Sequence, residues 1–304
     1  MAKDVSQARI AVIGAGLMGH GIAQVFALTG HDVTITDTVM KNLDTVTKRI
    51  AANLRELGDD PLAIARIRPC LELAEAVREA DYVVEAVLED LPLKQKLFAE
   101  IERHAPAEAI LASNTSVIPI TSIMEGLKNR ERALGTHWWN PPFLVPLVEV
   151  IETQWTSPEA VAWTMDLHRD AGKKTAHVKK DVPGFIGNRL QHALWREAIS
   201  LVENGICDAA TVDAVIKASF GRRLAVLGPL ENADLVGTDL TLAIHNTVLP
   251  AIDSRPAASP YLEKLVADGK LGFKSGEGFR KWSADEQAAL RAKVLQHLKA
   301  SRDS

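Results

Sequence analysis

Short apolar runs alternate with segments of helical periodicity over the first part of the chain. Five of these runs predict strands, at residues 9–13, 31–36, 81–88, 109–112 and 174–179, and the one at residues 81–88 has the pattern of a buried parallel strand. Two amphipathic segments between them predict helices, at residues 41–58 and 93–104, and a shorter helix is expected at residues 63–68. Alternating strands and helices are typical of a doubly wound α/β sheet, in which ligands bind at the carboxyl ends of the strands.

The pattern changes after the last of these runs, where strand signals nearly disappear. Residues 185–204 show apolar positions at helical spacing, Asp208 has the character of a helix cap, and residues 231–249 contain a further helix. We therefore predict two domains, a sheet domain over residues 1–182 and a smaller all-α domain over residues 183–304.

A glycine-rich stretch follows the first predicted strand and opens a helix. It consists of Gly14-Ala15-Gly16-Leu17-Met18-Gly19, and its glycines allow a tight turn and the close approach of a pyrophosphate to the backbone. The next strand ends in Asp37, 23 residues after Gly14. An acidic side chain there accepts hydrogen bonds from adenine-ribose hydroxyls and repels a 2′-phosphate, which favours NAD over NADP. The N-terminal domain is thus predicted to be a Rossmann-type domain that binds NAD.

Four polar residues lie at or just past the carboxyl ends of later strands. They are Glu89, Lys94, Asn114 and Ser116. Each one alone is more often a helix cap or a turn residue. The end of the sheet where they meet is nevertheless the end at which a dinucleotide binds, so we expect them near the cofactor.

His137 and Glu149 form the only pair of titratable residues whose spacing suggests chemistry. They lie twelve residues apart in two short apolar runs, with Asn140, Pro141 and Pro142 forcing a turn between them. A strand, a turn and a strand can bring two such side chains together, and a carboxylate bonded to one imidazole nitrogen fixes the tautomer of a general base. The alternative is a structural histidine beside a surface glutamate, and the spacing alone leaves both open.

Composition narrows the class of partner. The chain has 35 basic and 39 acidic residues and a net charge of -4, so it lacks the broad positive surface that nucleic acid or an anionic membrane requires. The N-terminus has no apolar signal region, no apolar run approaches the roughly 18 residues of a membrane span, and the histidines show no metal-ligand spacing. We expect a cytoplasmic protein that acts on a small molecule and holds no metal.

As a set, these residues resemble the L-3-hydroxyacyl-CoA dehydrogenase family. Seven blocks match in chain order: GAGLMGHGIA, VVEAVLEDLPLKQKLF, SNTS, HWWNPP with PLVEV, DVPGFIGNRL, GPLENADLVG and GKLGFKSGEGF. The resemblance covers nearly the whole chain. It implies an NAD-dependent dehydrogenase that forms a homodimer.

The resemblance also implies a role for each candidate residue. His137 is the catalytic base and Glu149 its partner. The remaining contacts are Ser116 and Asn188 for the reacting oxygen, Asp37 for the adenine ribose, and Glu89, Lys94 and Asn114 for the ribose and nicotinamide side of the cofactor.

Three features depart from the acyl-CoA enzymes of the family. The connection over residues 41–80 is shorter than their helical arm, which helps to hold CoA. Arg223 lies five residues before Gly228, as in the branch of L-gulonate 3-dehydrogenase (lambda-crystallin) and carnitine 3-dehydrogenase. Its guanidinium suits a free substrate carboxylate, and the alternative is a solvent-facing arginine in a loop. Trp138 and Trp139 form either core or an aromatic wall for the substrate.

We predict a hydride transfer between NAD and a small, carboxylate-bearing 3-hydroxy acid. Arg223, Trp138 and Asn140 are assigned to the substrate. Three alternatives stay open: a 3-hydroxyacyl-CoA dehydrogenase, a dehydrogenase of a pyridine-carboxylate aldehyde in vitamin B6 degradation, and a non-catalytic protein like the lens crystallin.

Overall fold

The computed structural model describes residues 4–302 of this 304-residue chain. Backbone contacts divide the chain into two compact units. The first contains the chain up to Arg189 together with the segment from Gln296, and the second is Leu190–Leu295. The domain boundary expected after residue 182 stays a prediction.

A single eight-stranded sheet runs through the first unit. Its strands are β1 (Ile10–Ile13), β2 (Val33–Thr36), β3 (Ile67–Pro69), β4 (Tyr82–Glu85), β5 (Ile110–Ser113), β6 (Ala133–Trp138), β7 (Leu147–Ile151) and β8 (Lys174–Val178). Their order is β3-β2-β1-β4-β5-β6-β7-β8, and every neighbouring pair is parallel except β6 with β7. The strand order reverses between β1 and β4, and such a switch point is where doubly wound sheets bind ligands.

Helices of the first unit cover both faces of this sheet. They are α1 (Leu17–Leu28), α2 (Met40–Leu57), α3 (Leu73–Val77), α4 (Leu91–His104), α5 (Ile120–Met124) and α6 (Pro158–Asp170). Three short 3₁₀ helices accompany them, at Val5–Gln7, Pro61–Arg66 and Arg130–Arg132. In the described part of the chain, none of the helices has both the length and the apolar composition that a membrane crossing requires.

The core has two layers because alternate residues of each strand point to opposite faces. Ile10 and Val12 of β1 belong to an apolar cluster that includes side chains of α1, α2 and α6. Ala11 and Ile13 belong to a second cluster with side chains of α4 and α5. A parallel strand buried on both faces must be apolar, and this is why apolar runs predicted the fully buried strands β1, β4 and β5 correctly.

Helices make up most of the second unit. They are α7 (Gly187–Glu203), α8 (Ala209–Ala218), α9 (Pro229–Val236), α10 (Thr238–Val248), α11 (Pro260–Ala267) and α12 (Ala284–Ala300). The first residues of α7 and the last residues of α12 belong to the first unit. Asp208 caps α8 as predicted, since its carboxylate accepts from the amide of Thr211 at 2.7 Å. The predicted fold class, a Rossmann-type sheet followed by a smaller helical part, is confirmed.

Two predicted helices differ from the structure. The helix expected at residues 63–68 is a 3₁₀ helix over Pro61–Arg66 followed by β3, because three residues of an edge strand are too few to show a pattern. The single helix expected within residues 231–249 is divided into α9 and α10. Gly237 lies between them with φ +99°, a backbone conformation that ends a right-handed helix.

Candidate active site

The turn from β1 into α1 requires glycine at two of its positions. Gly14 has φ +103°, and a Cβ atom there would lie 2.7 Å from the carbonyl oxygen of Ala86. A Cβ atom on Gly19 would collide with the carbonyl oxygen of Gly14. These two glycines therefore let the start of α1 pack directly against the loop and the end of β4.

Gly16 leaves open the space that a diphosphate needs. Apart from its chain neighbours, no described atom lies within 4 Å of the position that its Cβ would take. Gly16 is the N-cap of α1, the side chain of Leu17 is 66% exposed, and Met18 packs against the core. Free amides at a helix N-terminus bind phosphate groups, so this loop fits a dinucleotide.

Asp37 connects the end of β2 to the glycine loop. Its carboxylate accepts from the amides of Ala15 and Val39, each at 2.7 Å, and from the side-chain amide of Asn42 at 3.1 Å. A carboxylate has about four lone-pair sites, so Asp37 retains acceptor capacity for a ribose hydroxyl. The acidic side chain thus lies beside the expected diphosphate position.

Glu89 holds the loop that follows β5. One carboxylate oxygen accepts from the hydroxyl of Thr115 at 2.6 Å and from the amides of Ser116 and Val117 at 2.9 and 3.1 Å. Burial by itself would raise the pKa of Glu89, but these bonds and the ammonium of Lys94 at 3.4 Å outweigh it and lower that pKa. Glu89 is therefore ionised at neutral pH and fixes the backbone of Ser116.

Lys94 is 1% exposed, and its ammonium lies 2.6 Å from a carboxylate oxygen of Glu85. Glu85 is fully buried at the end of β4 and also accepts from the hydroxyl of Ser113 and the amide of Val87, both at 2.7 Å. Glu85 is absent from the residues predicted for the site. The signal was present, because an acidic residue inside an apolar strand requires a buried partner. Glu89 is the member of this cluster that reaches the surface, with 37% of its side chain exposed.

His137 and Glu149 lie opposite each other in the antiparallel pair of β6 and β7. Nδ1 of His137 is 2.7 Å from Oε2 of Glu149, and both side chains are buried. A carboxylate only accepts, so the imidazole donates from Nδ1 and a neutral ring keeps a lone pair on Nε2. Of the two arrangements that the spacing left open, the structure thus forms the pair, with the geometry of a base and its orienting carboxylate.

The second oxygen of Glu149 is also held. It accepts from the amides of Ile186 and Gly187 at 2.9 and 3.0 Å. Gly184 and Phe185, with φ +75° and +51°, make the turn that directs these amides to the carboxylate. A left-handed backbone at a residue other than glycine costs about 1–2 kcal/mol, so the surrounding structure must stabilise Phe185 in this conformation.

Charge on Glu149 is favoured by these partners. Burial, the largest influence, raises its pKa, but the bonds from His137, Gly187 and Ile186 together outweigh burial and hold the pKa below the usual value. Glu149 is therefore a carboxylate at neutral pH, able to stabilise a positive charge on the imidazole.

Asn188 and Ser116 join the same hydrogen-bonded set. Asn188 follows the two amides that hold Glu149, and its Nδ2 donates to the carbonyl oxygen of Ser116 at 2.9 Å. The side-chain oxygen of Asn114 accepts from the amide of Trp138 at 2.9 Å, which connects β5 to β6. The four residues predicted for catalysis thus lie along one continuous series of contacts.

The two tryptophans after His137 have different surroundings. Trp138 is 2% exposed, and its ring lies 5.7 Å from Phe26 and 5.2 Å from His168 in the core. The ring of Trp139 lies 5.2 Å from the imidazole of His137. Successive side chains of a strand alternate between its two faces. The structure therefore corrects the substrate contact assigned to Trp138, which belongs to the core, and places Trp139 beside the imidazole.

Two other residues assigned to the substrate are exposed. Asn140 lies in the turn between β6 and β7 and precedes a cis peptide bond to Pro141. The ammonium of Lys173 donates to the carbonyl oxygens of Pro142 and Val145 in the same turn. Arg223 lies in the second unit, between α8 and α9.

Among residues 4–302, no three His, Cys, Asp or Glu side chains are arranged to hold a metal ion.

Two family models match the chain in succession. The NAD binding domain of 3-hydroxyacyl-CoA dehydrogenase matches residues 9–182, and the C-terminal domain of 3-hydroxyacyl-CoA dehydrogenase matches residues 184–282.

Relatives that match this chain over more than 90% of their length include dehydrogenases whose names give different substrates. 5-formyl-3-hydroxy-2-methylpyridine 4-carboxylate 5-dehydrogenase of Mesorhizobium japonicum is 34% identical over 300 residues, covering 96% of each chain. Human mitochondrial hydroxyacyl-coenzyme A dehydrogenase is 37% identical over 296 residues, covering 92% of this chain and 93% of that protein. A crystal structure of a 5-formyl-3-hydroxy-2-methylpyridine 4-carboxylic acid 5-dehydrogenase, an NAD+-dependent dismutase, has a TM-score of 0.90 at 33% identity and covers 97% of each chain.

Proposed function

This chain belongs to the 3-hydroxyacyl-CoA dehydrogenase family and is an NAD-dependent dehydrogenase, and from this premise we propose that it transfers a hydride between NAD and a small substrate with a free carboxylate. The leading substrate class is a 3-hydroxy acid. In the oxidising direction the hydroxyl loses its proton and the carbon loses its hydride, which leaves a ketone. Reduction of the ketone reverses both transfers.

The hydrogen bond between His137 and Glu149 is the observation that carries this proposal. Nε2 of His137 is assigned to take the hydroxyl proton, and Glu149 stabilises the imidazolium that results. Both oxygens of Glu149 are held, one by His137 and one by two backbone amides, so the imidazole is oriented before substrate binds. A positioned base of this kind contributes about 10²- to 10⁴-fold to the rate.

The glycine loop and the ends of β4 and β5 are assigned to the cofactor. NAD, when bound, supplies the nicotinamide carbon that accepts or returns the hydride. The residues assigned to the diphosphate and adenine ribose are Gly14, Gly16, Leu17, Met18, Gly19 and Asp37. Glu89 and Asn114 are assigned to the nicotinamide half of the site. Lys94 was predicted to contact the cofactor, but it is buried and bonds to Glu85, so we assign it to supporting the carboxylates of Glu85 and Glu89.

Asn188 and Ser116 are assigned to the reacting oxygen. One hydrogen of the Asn188 amide is used by the carbonyl oxygen of Ser116, and the second is available to a substrate oxygen. The hydroxyl of Ser116 is exposed and can donate to the same oxygen. Together they would stabilise the charge that develops when the proton leaves.

Arg223 supports the choice of a carboxylate-bearing substrate. It is an exposed arginine in the segment before Gly228 that resembles the hydroxy-acid branch of the family. A guanidinium can hold a carboxylate through two parallel hydrogen bonds, whereas a CoA thioester offers no such group at its reacting end.

A pyridine-carboxylate aldehyde is the second candidate, favoured by the TM-score of 0.90 to a dehydrogenase of such a compound. The substrate would be the aldehyde hydrate. His137 takes a proton from one hydroxyl while the carbon loses its hydride, and the product is a carboxylic acid. Trp139, beside the imidazole, is assigned to stack on the flat ring.

The test measures NADH formation with a panel of substrates: L-gulonate, L-carnitine, simple 3-hydroxy acids, pyridine-carboxylate aldehydes and 3-hydroxybutyryl-CoA. Each active compound is then measured with the variants His137→Ala, Arg222→Ala and Arg223→Ala. We expect turnover of a free acid that falls by orders of magnitude in His137→Ala and in one of the two arginine variants. Turnover of the CoA ester alone, at a rate that is unchanged in both arginine variants, would contradict the proposal that the substrate bears a free carboxylate.

The cytoplasmic location stays a prediction from the sequence.

We also propose that the protein forms a homodimer. Several helices of the second unit expose large apolar side chains, a composition typical of a subunit interface. They include Leu230, Leu235, Leu240, Leu242, Ile244 and Val248. A molar mass of one chain at micromolar concentration would contradict the dimer.

A further inference from the structure

Arg49 lies within α2, and its guanidinium bonds to the backbone of the glycine loop. Nη2 donates to the carbonyl oxygens of Ala15 at 2.5 Å and Asn42 at 3.0 Å, and Nη1 donates to that of Gly16 at 3.3 Å. Nδ1 of His20 lies 2.8 Å from the same Gly16 oxygen. Two consecutive carbonyl groups of the loop are therefore held toward the side chain of Arg49.

These bonds act together with the first helical bond of α1, from the amide of His20 to the Gly16 oxygen at 3.3 Å, to determine where the loop amides point. Across a trans peptide the carbonyl of one residue and the N–H of the next point in opposite directions. Holding the oxygens of Ala15 and Gly16 toward Arg49 therefore turns the amides of Gly16 and Leu17 away from it. Neither amide donates to another group within residues 4–302. Both are available to phosphate oxygens at the N-terminus of α1.

The guanidinium also brings a positive charge to the loop. Arg49 is half-buried, where charges interact more strongly than in water. The opposite charge that acts on it is that of Asp37. A diphosphate brings two negative charges to the same loop, and the guanidinium attracts them.

The same contacts argue against a different role for Arg49. In NADP-binding proteins an arginine near the end of the second strand accommodates the 2′-phosphate. Here Nη1 and Nη2 donate to backbone carbonyls, and Nε is buried without a hydrogen-bond partner among the described residues. The guanidinium is directed to the loop, which holds the diphosphate, and Asp37 still disfavours a 2′-phosphate.

We propose that Arg49 is a positioning residue of the cofactor site, which turns the amides of Gly16 and Leu17 toward the diphosphate and adds the charge that attracts it. This inference rests on the assignment of the glycine loop to NAD, but not on any substrate.

The experiment compares Arg49→Met and Arg49→Lys with the wild type. Arg55→Met is the matched control, because Arg55 lies on the same helix and is exposed, and among residues 4–302 its side chain donates only to the carbonyl oxygen of Ala51. Binding of NADH is followed by its fluorescence, and adenosine and ADP are measured as competitors. The ratio of the two competitor affinities isolates the contribution of the phosphates.

In Arg49→Met we expect the affinities for ADP and NADH to fall about 10- to 100-fold, the size expected for losing hydrogen bonds to a charged group. Adenosine affinity should stay within about twofold, because the nucleoside does not reach the loop amides. Arg49→Lys should restore part of the ADP affinity, since lysine keeps the charge but cannot hold both carbonyls. Arg55→Met should bind all three compounds like the wild type.

Three results would overturn the inference. Equal losses for adenosine and ADP would mean that Arg49 only supports α2 and Asp37. A loss of NADPH binding without a loss of NADH binding would assign Arg49 to a 2′-phosphate. Unchanged ADP affinity in Arg49→Met would remove the role altogether. If the methionine variant does not fold, unchanged ADP affinity in Arg49→Lys would remove the role in turning the amides, because lysine keeps only the charge. Because no substrate is used, these outcomes are independent of the proposed reaction.

Discussion

Nδ1 of His137 lies 2.7 Å from Oε2 of Glu149 because the two residues are register partners across β6 and β7. Directly opposite residues of an antiparallel pair have their side chains on the same face of the sheet. β6 and β7 are the only antiparallel neighbours in this sheet of the described chain. A single turn therefore brings base and carboxylate together, and the other strands of the sheet have no equivalent arrangement.

Replacing Glu149 with glutamine keeps the shape of the side chain and removes its charge. We expect kcat to fall about 10²- to 10⁴-fold, because the imidazolium loses its counter-charge and the tautomer is no longer fixed. The KM for NAD should stay within about twofold, since the glycine loop is untouched. Initial rates of NADH formation, with the most active compound of the substrate panel, measure both.

Glu152→Gln is the matched control for this variant. Glu152 also bonds to a histidine, with Nε2 of His177 at 2.8 Å, but this pair is part-exposed and has no assigned role. We expect its kcat to equal that of the wild type. A Glu149→Gln enzyme with wild-type kcat would show that the first pair is structural too.

Gly187→Ala tests the support of the carboxylate. The added Cβ would collide with the indole of Trp139, and the amide of Gly187 is one of the two that hold Glu149. Either the indole or the amide must move, so we expect kcat to fall about tenfold or more, as small displacements of positioning groups do. Gly126→Ala is the control, because its Cβ would enter open space. Equal rates in the two variants would mean that the site tolerates the displacement.

Glu85 and Lys94 should depend on each other for stability. Both are almost completely buried, so removing Lys94 leaves the charge of Glu85 unpaired, and removing Glu85 leaves Lys94 only the more distant carboxylate of Glu89 at 3.4 Å. We expect Glu85→Leu or Lys94→Met to lower the free energy of unfolding by about 3–5 kcal/mol, and the double variant to lose clearly less than the sum. Urea unfolding of the four proteins measures this cycle.

An exposed ion pair provides the comparison for the double-mutant cycle of Glu85 and Lys94. Arg68 and Glu75 also approach to 2.6 Å, but both are about half-exposed. Water screens such a pair, so its variants should lose far less stability. Additive losses at Glu85 and Lys94 would contradict a coupled pair.

His168 should make the fold sensitive to acid. Its side chain is fully buried, and burial lowers its pKa from 6.5 to about 4, against a smaller opposite effect of its bond to the carbonyl of Thr164. Between these two pH values the unfolded chain binds a proton that the folded chain does not. Stability contributed by His168 is therefore present above pH 6.5 and is lost as the pH falls toward 4, to a total of about 3 kcal/mol.

His168→Phe removes this titration and keeps an aromatic ring between Trp138 and Phe26. The wild type should lose more stability than this variant when urea unfolding is repeated at pH 7.5, 6 and 5. His104→Phe, at an exposed position of α4, should lose as much as the wild type. The same pH dependence in wild type and His168→Phe would show that other groups cause the sensitivity.

The sequence by itself determined the fold class, the family and the cofactor, and each is confirmed. Local rules suffice for these features. A parallel strand buried on both faces must be apolar, so β1, β4 and β5 appear as short apolar runs. Gly14 and Gly19 occupy positions where no side chain fits, which makes the loop visible in the sequence. One turn separates His137 from Glu149, so their spacing made a contact between them one of the two arrangements that the sequence left open.

Only the tertiary structure decided which distant side chains share the site. The partner of Lys94 is Glu85, Arg49 reaches a loop that precedes it by more than thirty residues, and Asn188 bonds to the backbone of Ser116. Trp138 turned out to be core while Trp139 lies beside the imidazole. Periodicity reports whether a residue is buried or exposed within its own element. Contacts between elements depend instead on the order of the strands and the directions of the helices, which no local pattern contains.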